Sequence, residues 1–277
     1  MSKNFKFKAQ RRIFQPISED AQMEPMTGFN FGGSTNPMGY PYDPPDVINV
    51  LTQDRADLHY LEIGVDQGNT FDHITNVEVK HGVDPYGASG NITHRMTSQL
   101  FFSLNHYFFH HRYDIIFIDG LHLFDVVHEE VQNSLQLLRE NGLIVLHDTC
   151  PILKSRQQIW LSDYEAILDN VITAEKKDRL AWHENTAASE PKGLNGDVWK
   201  NAAYLRTFPD LTVFSIPQAC ITIVSPRKLD KFDTPTPEID LSTLNWDAYY
   251  TRFEEIMNPV SLEYFKENIG EYLPRNG

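Results

Sequence analysis

From about residue 48 onward, short apolar runs alternate with longer segments of helical spacing. The first run, Tyr60 to Val65, passes into the turn Gly64-Val65-Asp66-Gln67-Gly68, after which a helix is predicted near Asn69 and Thr70. The second, Val77 to Val83, closes on Asp84-Pro85. Proline has no N–H for a sheet ladder, so Asp84 is expected at the carboxyl edge of that strand. A third strand is predicted at Ile92 to Met96, leading into a helix with Leu100, Phe101, Leu104 and Phe108 as its apolar stripe. The run from Tyr113 to Ile118 suits a central strand buried on both faces and ends in Asp119-Gly120. Val127, Val131, Leu135 and Leu138 then recur every three or four residues, which predicts a helix that shows Glu129, Glu130 and Gln136 to water and stops at Asn141-Gly142. Leu143 to Leu146 is a fifth strand, ending at His147-Asp148. After a helix over Asp197 to Arg206 come strands Leu211 to Ile216 and Ala219 to Val224. Only Pro217-Gln218 separates them, a connection that permits an antiparallel pair alone.

This rhythm predicts an α/β, Rossmann-like fold: a mostly parallel seven-stranded sheet with an antiparallel last strand and helices on both faces. Residues 1–47, rich in Gly, Pro, Asn and Tyr, read as an N-terminal arm. The core is expected over 48–226, with an insertion at 150–195 that holds a helical stretch from Gln157 to Ile172 and has the position of a lid. Residues 227–277 form a tail, with helices predicted at Trp246 to Met257 and Leu262 to Tyr272.

Charge narrows the partners. A formal charge of -14 opposes attraction to phosphate polymers and to anionic membranes, so neither nucleic acid nor a lipid surface is expected. Lys3, Lys6, Lys8, Arg11 and Arg12 make a short basic arm whose expected state is solvated disorder. No apolar stretch follows these charges as in a secretory signal, and no run is long enough to span a bilayer, so a soluble, cytoplasmic protein is expected. Cys150 and Cys220 lack metal-type spacing and read as buried thiols, although Cys150, two residues after Asp148, could stand at the rim of a site. His106, His110 and His111 sit among aromatics and suit surface or packing roles, and Trp199 falls at a core position of its helix.

In open α/β sheets ligands sit beyond the carboxyl ends of the strands, where the chemistry-bearing residues of this chain collect. Glycine at 64 and 68 gives G-x-x-x-G, whereas a dinucleotide fingerprint needs G-x-G-x-x-G to admit a pyrophosphate. NAD is therefore disfavoured. Glycines alone fit any tight strand-to-helix turn equally well. Together with Glu62 and with Asp84, placed to accept hydrogen bonds from ribose hydroxyls, they point to a nucleoside-bearing cofactor.

Glu62-x-Gly64-x-x-x-Gly68 resembles the first motif of class I S-adenosylmethionine-dependent methyltransferases, and Asp84 their ribose-binding acid. The resemblance implies S-adenosylmethionine as cofactor, bound by Glu62, Gly64, Val65, Gly68, Asp84, Thr97, Ser98 and Asp119; relatives commonly carry an acid where Gln99 stands. Phe117-Ile-Asp119-Gly-Leu-His122, Gly142-Leu-Ile-Val-Leu-His147-Asp148 and Gly196-Asp197-Val198-Trp199-Lys200 are similar to a subgroup that includes sugar O-methyltransferases of macrolide biosynthesis. In that subgroup the residues matching Asp119, His147 and Asp148 hold a divalent cation, and the one matching His122 is the base, so Asp119 and His122 are the expected catalytic pair. His147 departs from the carboxylate of the macrolide enzymes. Mg²⁺ is the first expectation, but an imidazole ligand favours Mn²⁺, Fe²⁺, Co²⁺ or Zn²⁺; alternatively, His147 turns away and donates a hydrogen bond elsewhere.

The implied activity is cation-assisted methyl transfer to a hydroxyl of a small molecule, a sugar moiety first and a phenol or catechol second. A non-catalytic cofactor-binding scaffold is the alternative from another class, and an NAD-linked oxidoreductase ranks below both. A homo-oligomer is compatible with everything in the sequence.

Overall fold

The computed structural model describes residues 39–55, 57–152, 154–157 and 195–273. The basic arm and the predicted helix of the insertion lie outside the described residues. Six strands form one sheet: β1 (His59–Ile63), β2 (Val79–Val83), β3 (Tyr113–Ile118), β4 (Leu138–Leu146), β5 (Thr212–Ile216) and β6 (Ile221–Ser225), in the order β2-β1-β3-β4-β6-β5. β1 runs parallel to β2 and to β3, and β3 to β4; β6 is antiparallel to both β4 and β5. The register places Ile63 beside Val83 and Ile118, and Ile118 beside Leu146. Four strands thus end level, so Gly64, Asp84, Asp119 and His147 leave the sheet along one edge.

The predicted third strand, Ile92 to Met96, does not form. At 92–96 the chain makes a single bridge, Val83 to His94, in which the N–H groups of Thr93 and His94 both reach the Gly82 carbonyl. It clings to the edge of β2 without continuing, because the Met96 N–H turns back to the His94 carbonyl at 3.0 Å. The helix expected after Gly68 is likewise reduced to one 3₁₀ turn at Phe71–His73.

Among the described residues, seven helices accompany the sheet: α1 (Pro44–Thr52), α2 (Ser98–Leu104), α3 (Phe124–Leu137), α4 (Trp199–Leu205), α5 (Trp246–Thr251), α6 (Phe253–Met257) and α7 (Leu262–Asn268). α2 passes into a π-helical turn over Asn105–Phe109. The predicted stripe fails there: Phe101 and Phe102 are buried, while Leu100 is 50% and Phe108 71% exposed. In α3, Val127 and Val131 face the core as expected, but Glu130 joins them and is only 3% exposed. That helix ends at Leu137, and β4 begins at Leu138, so Asn141 adopts its left-handed φ of 70° inside the strand rather than at a helix stop.

Both sheet faces are covered, which is why β3 is buried at every position. Val47, Ile48 and Leu51 of α1 and Leu262 and Phe265 of α7 cover the face bearing Tyr60, Ile115, Phe117 and Val145. Phe101, Val127, Val131 and Leu205 cover Leu61, Ile63, Ile116 and Ile144 on the other. Trp199, fully buried, meets Tyr249 at a ring separation of 4.6 Å and anchors a third cluster joining α4 to α5 and α6. Among the described residues no helix is long and apolar enough to cross a membrane.

Candidate active site

The turn after β1 is shaped by its own chain. Gly64 has φ +88°, and a Cβ there would overlap the Asp119 carbonyl and lie 2.7 Å from Gly120 Cα. Gly68, at φ +86°, would place a Cβ 2.6 Å from Asp72 Oδ2. Only glycine accepts such angles without strain. These two positions are thus demanded by the contact between the ends of β1 and β3 and by the closure of the turn, a tighter reason than room for a ligand. Val65, between them, is buried.

Asp84 is 9% exposed and accepts the N–H groups of Asp66 (2.9 Å), Tyr86 (2.7 Å) and Gly87 (2.5 Å). It ties the loop after β2 to the turn after β1, and a carboxylate with three such bonds still has lone pairs for a further donor. Glu62, two residues before Gly64, is buried against the Tyr60 hydroxyl, which it binds; burial pushes its carboxyl up to about 8. Thr97 caps α2 by accepting from Leu100 N–H at 3.3 Å, and Ser98 follows it, buried.

Beyond β3 and β4 lies a ring of two acids and two imidazoles. His122 Nε2 is 2.9 Å from Asp148 Oδ2 and 3.8 Å from Asp119 Oδ1. His147 Nδ1 is 2.9 Å from Asp119 Oδ1 and 3.4 Å from Asp148 Oδ2. His147 therefore points into the cluster, not away from it. Although desolvation favours neutral imidazoles, Asp148 and Asp119 raise both His122 and His147 well above the ordinary histidine value, and the two imidazoles in turn lower Asp148. His122 keeps 38% of its side-chain surface exposed and His147 20%, so the cluster is open on the His122 side.

Three of these residues, Asp119, His122 and Asp148, offer ligand atoms within 4.8 Å of one another, a donor set that fits a divalent cation. The trio pairs the carboxylates with the expected base, His122, and leaves His147 bonded to Asp119.

Several residues of the site have no mark in the linear sequence. Asn195, fully buried, donates from Nδ2 to Asp148 Oδ1 at 2.6 Å and to Cys220 Sγ at 3.3 Å. Gly196, at φ +58°, would set a Cβ 2.8 Å from His122 Cβ, so its lack of a side chain lets this segment lie directly on the His122 loop. Asp197 Oδ1 fastens the same loop by accepting Phe124 N–H at 2.7 Å. Gly196 and Asp197 belong to a recognisable motif, but that these positions support His122 follows only from the fold. Cys150 is not at the rim: it is 2% exposed, and burial pushes its thiol up to about 12.

Glu130 is the other unforeseen group. Its Oε2 makes no hydrogen bond among the described residues, and burial raises its carboxyl to about 8. It lies directly below Gly120, at the same strand end as the glycine turn.

Residues 61–149 match the model of a family described as a methyltransferase domain. No curated protein matches the sequence. Among solved structures, an O-methyltransferase from Bacillus cereus in complex with SAH is 13% identical, with 66% of this chain and 81% of that one covered at a TM-score of 0.37. The O-methyltransferase TomG from Streptomyces achromogenes is 12% identical, over 65% of this chain and 78% of that one, at 0.38. MycE, of the mycinamycin biosynthetic pathway, is 14% identical at 0.36; 71% of this chain is covered, and it spans about half (51%) of that protein's length. The family match falls on the segment that carries the glycine turn, Asp84 and the two acids of the ring, so residues 61–149 are similar to a methyltransferase domain over the stretch that builds the site.

Proposed function

We propose that this chain transfers the methyl group of S-adenosylmethionine to a hydroxyl of a small molecule, assisted by a divalent cation held by the Asp119 and Asp148 carboxylates, with His122 beside them as the base. A sugar moiety is the preferred acceptor class and a phenol or catechol the next. The observation that carries the reading is the acid–imidazole ring beside the glycine turn, with His122 Nε2 and His147 Nδ1 each 2.9 Å from a carboxylate oxygen.

Transfer from a sulfonium is an in-line displacement: the oxygen–methyl bond forms as the sulfur–methyl bond breaks, and the hydroxyl proton must leave. A bound divalent cation would lower the hydroxyl's pKa and hold substrate oxygens in place. His122 is the proton acceptor, at Nε2. The neighbouring carboxylates raise its proton affinity; a cation held by Asp119 and Asp148 would offset them and bring the imidazole back towards neutrality, where a base works well. His147 orients Asp119 through its Nδ1, and Asn195 orients Asp148. Asp84 and the turn from Gly64 to Gly68 hold the nucleoside end, with Glu62, Val65, Thr97 and Ser98 around it.

The test is mass spectrometry of products after incubation with S-adenosylmethionine and a panel of glycosides, phenols and catechols. A product heavier than the acceptor by one CH₂ (+CH₃ −H), lost on chelation and in Asp119→Ala, supports the reading. Turnover indifferent to chelation removes the cation from the mechanism, and cofactor binding without product from any acceptor leaves a scaffold.

A further inference from the structure

We propose that the buried thiol of Cys220 is a positioning residue for the site: by taking one amide hydrogen of Asn195, it fixes which oxygen of Asp148 faces His122. This rests on the reading that Asp119 and Asp148 hold a divalent cation, to which that same oxygen is open.

Cys220 follows the 3₁₀ turn Pro217–Ala219 that joins β5 to β6, and this connection lies against the residues just after Asp148. The Cys220 carbonyl accepts the Thr149 N–H at 3.3 Å, and its sulfur accepts the Cys150 N–H, also at 3.3 Å. The residue is fully buried, and its φ of +55° is left-handed. Burial pushes the thiol well above its ordinary value, so it stays protonated and neutral. The Tyr40 hydroxyl bonds the thiol and donates its own proton to the Cys150 carbonyl at 2.9 Å, which leaves its oxygen to accept the S–H. The sulfur is thus held from several sides.

Its effect on the site runs through Asn195. An amide NH₂ offers two hydrogens. In Asn195, which is also fully buried, Nδ2 stands 2.6 Å from Asp148 Oδ1 and 3.3 Å from Cys220 Sγ, so each hydrogen has its own acceptor. Turning the amide over would set its oxygen against a carboxylate, and rotating it would leave a buried N–H unpaired, which is costly. With the amide fixed, Asp148 Oδ1 is committed to the protein side. Oδ2 is the oxygen that faces the imidazoles, 2.9 Å from His122 Nε2 and 3.4 Å from His147 Nδ1.

The experiment is titration of the full chain with Mn²⁺ alone, followed by loss of the free ion's electron paramagnetic resonance signal. Cys220→Ala is expected to weaken Mn²⁺ binding about tenfold, the scale on which partners of metal ligands act, and Cys220→Ser, which keeps an acceptor, to recover most of that loss. Cys220→Gly also removes the sulfur while relieving the left-handed backbone, so it serves if the alanine variant fails to fold. In an Asn195→Ala background the amide is gone, and Cys220→Ala should then cost less than about twofold more, since residues that act through one another are not additive. Affinity unchanged without the sulfur, a serine variant no better than alanine, or a full further loss in the Asn195→Ala background overturns the positioning role; the last is the result expected of packing alone. Wild type that binds no Mn²⁺ overturns the cation reading itself, and the positioning role with it.

Discussion

Replacing Gly64 with alanine probes the contact on which the site is built. A Cβ at 64 would overlap the Asp119 carbonyl and stand 2.7 Å from Gly120 Cα, and φ is +88°. Carbon atoms pack at about 3.5–4.0 Å, so the ends of β1 and β3 must part by on the order of 1 Å. No rotamer relieves this, because the opposing atoms are backbone. A side chain held at such a φ costs about 1–3 kcal/mol. Separation also strains the bonds from Asp119 N–H to the Ile63 carbonyl (2.8 Å) and from Gly64 N–H to the Val83 carbonyl (2.9 Å). At about 1 kcal/mol each, the total reaches roughly 3–5 kcal/mol, against the 5–15 kcal/mol that stabilises a typical domain. Because Asp119 moves with the strand end, turnover should fall about 100-fold even in the folded fraction. Urea unfolding gives the stability change, and turnover under conditions where the variant is fully folded gives the second number. Gly90→Ala is the control, since a Cβ there meets nothing within 4 Å. A loss below about 1 kcal/mol in Gly64→Ala, with turnover intact, would refute the reasoning.

Three further outcomes follow from the same geometry. His122 and His147 are raised above the ordinary 6.5, so their contribution to the metal-free protein is complete below that value and is lost as pH rises through their folded values; Asp148 is lowered from 3.8, so its contribution is complete above 3.8 and is lost as pH falls through its folded value. With chelator, melting temperature should therefore decline on the alkaline side, whereas added Mn²⁺ should stabilise more as pH rises, since ligation displaces protons; thermal melts from pH 5 to 9 compare the two, and parallel curves would contradict the paired charges. Glu62→Gln should match wild type near pH 4.5 and exceed it in stability by an amount that grows up to about pH 8, because the buried acid, raised from 4.5 to about 8, opposes folding as its unfolded form ionises; a constant difference across this range would be the contrary result. Asn195→Ala removes a 2.6 Å bond to a buried carboxylate, a type worth about 1.5–3 kcal/mol, so kcat/KM should fall roughly 10- to 100-fold, and unaltered kinetics would deny Asn195 its positioning role.

The strand ends were legible in the linear chain because their signals are local. An apolar run closed by Gly64, by Asp84-Pro85, by Asp119-Gly120 or by His147-Asp148 carries both its strand and its stop within a few residues, and parallel strands that end in register bring these stops to one edge. The antiparallel last pair was legible for the same reason, since the length of a connection limits what it can join. Elsewhere local pattern was insufficient. Ile92 to Met96 has a strand's composition, yet an edge position needs continued hydrogen bonding, and the Met96 N–H turns instead to the His94 carbonyl. Periodicity assigns Glu130 to a polar face only while the helix's surroundings are unknown; packed against Ser98 and Gly120, the same residue is interior. Asn195 reaches Asp148 across 47 residues of sequence, and Gly196 reaches His122 across a longer span still. Contacts of that range leave no periodic trace, because chain closure alone brings the partners together. The sequence by itself determined which edge of the sheet gathers the glycine turn and which acids stand there, through local rules of strand, turn and charge. Tertiary packing decided how those acids are held and which imidazoles face them.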